Sequence, residues 1–154
     1  MKRVAIISDT HGLLREEVKE ELKQADAIIH AGDINTQEIV NELKSYAPLW
    51  IVRGNNDKEW AKELPDHLFV EVEGVRFFVI HNKKEIPKDL TGVNVIIYGH
   101  SHKYSVNEED GILLLNPGSC GKRRFDLEIT MMRMIVNEGK FTLEKVEIVP
   151  AKDQ

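Results

Sequence analysis

Five times along this chain an apolar run stops abruptly at a short polar or glycine-bearing segment. Residues 4–7 run into Ser8-Asp9-Thr10-His11-Gly12, residues 27–30 into Ala31-Gly32-Asp33, and residues 49–52 into Arg53-Gly54-Asn55-Asn56-Asp57. Later, residues 75–80 end at His81-Asn82, and residues 93–98 end at Gly99-His100-Ser101-His102. Residues 4–7 form a continuous apolar run rich in β-branched residues, which reads as a strand buried on both faces, as in a sheet covered by helices. The polar groups then gather at the carboxyl ends of strands, the edge where open α/β sheets bind ligands.

Between the first three runs the period changes. Leu14, Val18, Leu22 and Ala25 share a stripe while Glu16, Glu17, Lys19, Glu20 and Lys23 lie elsewhere, which predicts an amphipathic helix. Thr36 is placed to cap a second helix with the apolar face Ile39, Val40, Leu43 and Tyr46, and Pro48 ends it. The order β-α-β-α-β folds by right-handed crossovers into a parallel sheet. Further on, 68–72 and 75–80 flank Glu73-Gly74, a hairpin signal. Residues 87–90 form at most one helical turn. Runs at 104–106, 112–115, 128–136 and 141–149, with turns at Asp110-Gly111 and Glu138-Gly139, predict an antiparallel meander. No repeat, low-complexity segment or linker interrupts the chain, so one domain over residues 1–154 is expected.

Composition narrows the function. The formal net charge of -5 argues against a dedicated binder of long nucleic acid or of an anionic membrane, since both require a basic face. The single cysteine, Cys120, permits no intramolecular disulfide and fits a reducing compartment. The first apolar run is four residues, too short for a signal sequence or a membrane span. A cytoplasmic, soluble chain is the expectation.

Asp9, His11, Asp33, Asn55, His81, His100 and His102 supply only oxygen and imidazole donors at these strand ends. That mix suits Mn, Fe, Ni, Co or Zn in a reactive site, and differs from the thiolate set of structural zinc. Seven donors exceed one tetrahedral ion and fit two ions sharing a carboxylate. Against four positive charges, Asp9 and Asp33 supply two negative ones; with a hydroxide between the metals roughly one positive charge remains, which favours an anionic phosphate-like substrate. Metal requires neutral imidazoles, so activity is expected to fall as pH drops through the histidine range near ~6.5.

Taken in order, Asp9-Thr10-His11, Gly32-Asp33, Gly54-Asn55-Asn56-Asp57, His81 and Gly99-His100-Ser101-His102 resemble the motifs of the calcineurin-like metallophosphoesterases, and the compact length resembles their small single-domain prokaryotic phosphodiesterase branch. The resemblance runs on to Asn116-Pro117-Gly118-Ser119. It implies an α/β fold, a four-layer α/β-β/α sandwich of two mixed sheets flanked by helices. It assigns Asp9, His11 and His102 to one metal, Asn55, His81 and His100 to a second, and Asp33 to both, with manganese the first choice of ion. It implies hydrolysis of a small phosphodiester by in-line attack of a metal-bridging hydroxide, with a phosphomonoesterase or a catalytically weak interaction scaffold of the same fold as rivals. A full ligand set favours the enzyme over the scaffold. Self-association is compatible with the resemblance.

One departure stands out. Many members carry histidine where this chain has Asn56, which can donate an amide hydrogen bond but cannot act as an acid. A general acid contributes ~10²–10⁴-fold, so a slow enzyme preferring good leaving groups is expected. Asn116 and Ser119 are expected to help orient substrate. The ordinary readings apply to the rest: His30 in packing or support of the site, His67 in a solvated loop, Cys120 inert, Lys122-Arg123-Arg124 an exposed basic turn, and Met131, Met132 and Met134 in strand packing.

Overall fold

The apolar runs are explained by two five-stranded sheets, each covered on both faces. The computed structural model describes residues 1–124 and 126–150; residue 125 and the last four of the expected domain span lie outside the described residues. The first sheet contains β1 (Lys2–Ile7), β2 (Ala27–His30) and β3 (Leu49–Ile51) in parallel, joined through α1 (Glu16–Leu22) and α2 (Gln37–Tyr46). The second contains β4 (His67–Val72), β5 (Val75–Ile80), β6 (Val95–Ile97), β7 (Ser105–Glu109) and β8 (Ile112–Asn116), in the order β4-β5-β6-β8-β7. The chain then returns: β9 (Thr130–Asn137) pairs antiparallel with β1, and β10 (Lys140–Glu147) closes that edge.

Strand alternation sorts the core. On β1, Val4 and Ile6 face the second sheet, meeting Phe77, Val79, Val95 and Ile97, while Ala5 and Ile7 face the helices and meet Val18, Leu22, Val40 and Leu43. Thr36 caps α2, its Oγ1 accepting from Ile39 N at 3.4 Å. Over the outer face of the second sheet, Phe78, Ile96 and Leu114 are covered by Leu90 and Val93 on a segment with one 3-10 turn at Lys83–Glu85. The outer cover on that side is thus loop and a short turn rather than an α-helix.

Two expectations need correction. The second half is not a meander. β5, β6 and β8 run parallel, and β9 leaves their sheet to join β1. The short runs carried no information about partners, and an apolar inner face on β9 (Met132 and Met134) is satisfied equally in either sheet. His67 opens β4, paired with Ile80, instead of lying in a loop. Among the described residues, no helix is long and apolar enough to cross a membrane.

Candidate metal centre

The parallel ladder between β1 and β2 continues past the strands. Asp9 N donates to Gly32 O at 2.9 Å, His11 N to Asp33 O at 3.0 Å and Gly12 N to Ile34 O at 2.9 Å. The two loops therefore travel side by side, bringing Asp9, His11 and Asp33 to one edge. Gly99 N donates to His81 O at 3.0 Å, which does the same for the loops after β5 and β6. Asp9, His11, Asp33, His100 and His102 all have positive φ, between 47° and 76°. L-residues with side chains reach that region at a cost of roughly 1–2 kcal/mol each, and such strain collects at functional sites. Close approach also dictates glycine: a Cβ on Gly54 would strike the Asp33 carboxylate, and one on Gly99 would strike Ser8 Oγ and Asp9 Oδ2.

All seven expected donors converge. His11 Nε2 and His102 Nε2 lie 3.2 Å apart, and Asp9 Oδ1 is 3.5 Å and 3.4 Å from them. Beside this inner group, His81 Nε2 lies 3.2 Å from Asp33 Oδ2 and 3.1 Å from Asn55 Oδ1, and His100 Nδ1 lies 3.2 Å from Asn55 Oδ1. Asp33 Oδ2 is also 3.6 Å from His11 Nε2, so one carboxylate oxygen faces both groups. The atoms of Asp9, His11 and His102 sit within 4.8 Å of one another, and so do those of Asp33, His81 and His100.

These donors fit divalent cations. Among the described residues, Asp9 Oδ1 is buried with no hydrogen-bond donor, a costly state for a carboxylate oxygen unless a cation completes it. His81 Nδ1, 2.8 Å from Ala31 O, must donate to that carbonyl, so in the neutral ring the Nε2 lone pair points at two oxygens. Only a proton or a metal ion reconciles that arrangement, and a backbone carbonyl behind the ring is the usual support of a ligating histidine.

The electrostatics of the metal-free site agree. Burial opposes charge on His81, but the hydrogen bond to Asp33 and the charges of Asp9 and Asp33 outweigh it and raise its pKa. Burial likewise opposes ionisation of Asp33, yet contacts from His81 and the Asn56 N–H hold it down at about 2. His102 is lowered, by burial first and by neighbouring His11 and Arg124, with Asp9 opposing.

The surrounding residues hold the loops. His30 is fully buried; Gly32 N donates to its Nδ1 at 3.0 Å, leaving Nε2–H to donate to Thr10 Oγ1 at 3.0 Å. Burial pushes its pKa down to about 3, so it stays neutral in its supporting place. Asn116 and Ser119, expected on substrate, are buried and otherwise engaged. Asn116 Nδ2 donates to Gly99 O and Ser101 Oγ, and Ser119 Oγ donates to Asp9 O at 2.8 Å. Their polar atoms are used within the protein, holding the loops that carry Asp9 and His100 to His102. Asn56 turns onto Asp33 as well: its N donates to Oδ1 at 2.8 Å and its Nδ2 to Oδ2 at 3.2 Å. The donor expected for a leaving group is thus engaged with the Asp33 carboxylate.

Asp57 carried no role in the sequence. It is buried and accepts from four backbone N–H groups, those of Asp33, Ile34, Asn35 and Gly54, at 2.8–2.9 Å. Its position in Gly54-Asn55-Asn56-Asp57, an acid in a strand-end loop, was the available signal. Arg124 is exposed, but its Nη1 lies 3.5 Å from His102 Nε2, which places a cation of the basic turn at the inner group. Cys120 is buried among the helix-side apolar residues with its thiol pushed up to about 12, chiefly by burial, as an inert cysteine should be.

Comparison with known proteins agrees with this architecture. Residues 1–139 match the family model of the calcineurin-like phosphoesterase superfamily domain. A probable metallophosphoesterase of Methanothermobacter thermautotrophicus is 32% identical over 130 residues, 75% of this chain and 76% of its own length. A phosphodiesterase of Methanocaldococcus jannaschii is 29% identical over 140 residues, 77% of this chain and 84% of its own. Among solved structures, zinc-complexed wild-type Vps29 from Entamoeba histolytica superposes with a TM-score of 0.74 at 20% identity, covering 94% of this chain and 98% of the other, a likeness of fold. With that fold, and with the family model spanning most of its length, the chain belongs to the calcineurin-like phosphoesterase superfamily.

Proposed function

We propose that this protein is a dinuclear metal-dependent phosphodiesterase acting on small phosphodiesters. The observation that carries the reading is Asp33 Oδ2, 3.6 Å from His11 Nε2 and 3.2 Å from His81 Nε2, one carboxylate oxygen turned to two groups of donors. Asp9, His11 and His102 would hold one ion, Asn55, His81 and His100 the other, and Asp33 both. Manganese is the first ion to test, because oxygen and imidazole donors without thiolate suit it; zinc, present in the Vps29 neighbour, is the second. Two such ions, when bound, supply a nucleophile from water near neutral pH and offset charge developing on the phosphoryl oxygens.

The chain's own residues do the positioning. The Ala31 carbonyl fixes the His81 tautomer, the Ser119 hydroxyl fixes the Asp9 backbone, and Asn56 fixes the Asp33 carboxylate. Asn56 cannot protonate a leaving oxygen, and its amide is engaged with Asp33, which favours esters with good leaving groups. The relative named a phosphodiesterase supports the diester reading.

Arg124 favours a second reading. A guanidinium beside His102 is the kind of group that receives the extra charge of a phosphomonoester. Hydrolysis of p-nitrophenyl phosphate and bis-p-nitrophenyl phosphate, after chelation and across a metal panel, separates the two. The proposal expects higher kcat/KM for the diester; a clear preference for the monoester makes the second reading the correct one.

A further inference from the structure

The side of the metal centre beyond His100 opens into a concave surface of about 390 Å³, within the range of small-molecule sites. Lys83, Lys84 and Lys103 line it together with Tyr98 and Tyr104, and its lining contains no carboxylate. Among the described residues none of the three lysines has an ion-pair partner, although acidic residues outnumber basic ones by 26 to 21 in the chain. Three lysines lining one concave surface without a carboxylate, in a chain of negative net charge, suit an anionic ligand.

The pocket is built from the same two loops as the site. Lys83 and Lys84 occupy the 3-10 turn directly after His81-Asn82, held by Lys84 N donating to Asn82 Oδ1 at 3.0 Å. Lys103 follows His102, its N donating to Ser101 Oγ at 3.3 Å. Lys83 Nζ sits over the Tyr98 ring at 5.6 Å, so aromatic and cationic surface are combined.

We infer that this pocket receives the non-reacting arm of the substrate, and that this arm carries a second phosphate: the substrate class is a small nucleotide-like phosphodiester bearing a phosphate beyond the one attacked. The inference rests on the phosphodiesterase reading for its reaction, while the pocket's affinity for a phosphorylated nucleoside is independent of it.

The test uses two substrates with one leaving group, the p-nitrophenyl phosphodiester of thymidine and the same diester with an additional phosphate on its free hydroxyl. In the metal-loaded wild-type protein the second should have a kcat/KM at least about tenfold higher, three exposed charge contacts together being sufficient for that factor. The ratio should collapse towards unity in the triple variant Lys83→Ala, Lys84→Ala, Lys103→Ala and persist in the corresponding arginine variant. An equal ratio in wild type and alanine variant overturns the inference. Should neither diester turn over with any metal, the hydrolase reading fails, and calorimetric binding of thymidine bisphosphate decides the pocket. Binding about tenfold weaker in the alanine variant sustains the pocket, and equal binding overturns it.

Discussion

The two donor groups are built differently. In the inner one, Asp9 is fully buried and His102 nearly so, and the loop that carries Asp9 is tied to Gly32, Ser119 and Cys120 by backbone and side-chain hydrogen bonds. In the outer one, Asp33 and His81 are buried but Asn55 and His100 stand exposed. Asn55 Oδ1 at 3.2 Å and the edge-on His81 ring at 5.3 Å are what hold the His100 ring to the group among the described residues. Burial and support thus pre-form the inner position, while the outer one leans on two exposed loop side chains. A preformed site binds more tightly because less ordering remains to be done on binding. The inner ion should therefore be held more firmly, and the outer one should exchange more readily.

The largest effect should come from the residue that the two groups share. Asp33→Ala should remove both ions and lower diesterase activity by at least about 10³-fold, the rate equivalent of several kcal/mol. Elemental analysis after dialysis checks it, and retention of one full ion would break the picture of a shared carboxylate. Next comes Asp57→Ala. Four N–H groups, three of them buried, would lose their acceptor, and urea denaturation should show a loss of about 3 kcal/mol. Because Asp57 ties the Asp33 loop to Gly54, beside Asn55, the outer position should weaken before the inner one.

The direct contrast is His102→Ala against His100→Ala. Each should empty its own position first. The outer affinity should fall by on the order of 10–100-fold in the His100 variant, and the inner affinity by more in the His102 variant. Equal loss of both ions in both variants would dissolve the distinction. The last effect concerns support from beneath, and its size depends on pH. His30 has its folded pKa depressed to about 3, mainly by burial, with Asp9 and Asp33 opposing and His81 and His11 reinforcing. Below about 6.5 the unfolded chain binds a proton at His30 that the folded one refuses. Stability should therefore fall as pH drops from there towards 3, with part of that slope coming from this residue. Replacing His30 by Gln should flatten that dependence in metal-free protein, and an unchanged slope would contradict it.

Much of this could be read from the chain because it is written locally. Each apolar run names a doubly covered strand, Thr36 names a helix start, and the donors follow strand ends. What stayed hidden depends on partners. Met132 and Met134 satisfy either sheet, so the return of β9 to β1 was not visible. Asn116 and Ser119 have the chemistry of substrate contacts, and their burial and their bonds to Gly99, Ser101 and Asp9 become visible only in the fold. Asp57 and the three lysines are ordinary charged residues until the fold sets one beneath four N–H groups and the others around one pocket. Nor does any pattern announce that Asp9, His11, Asp33, His100 and His102 adopt positive φ.

The central claim is tested most directly by counting metal against rate. Chelated protein, titrated with manganese while bis-p-nitrophenyl phosphate hydrolysis and bound metal are followed together, should start without activity. It should bind a first equivalent tightly with little turnover and reach full rate as the second, weaker equivalent fills. Full activity after chelation, or at one bound ion, would contradict the account.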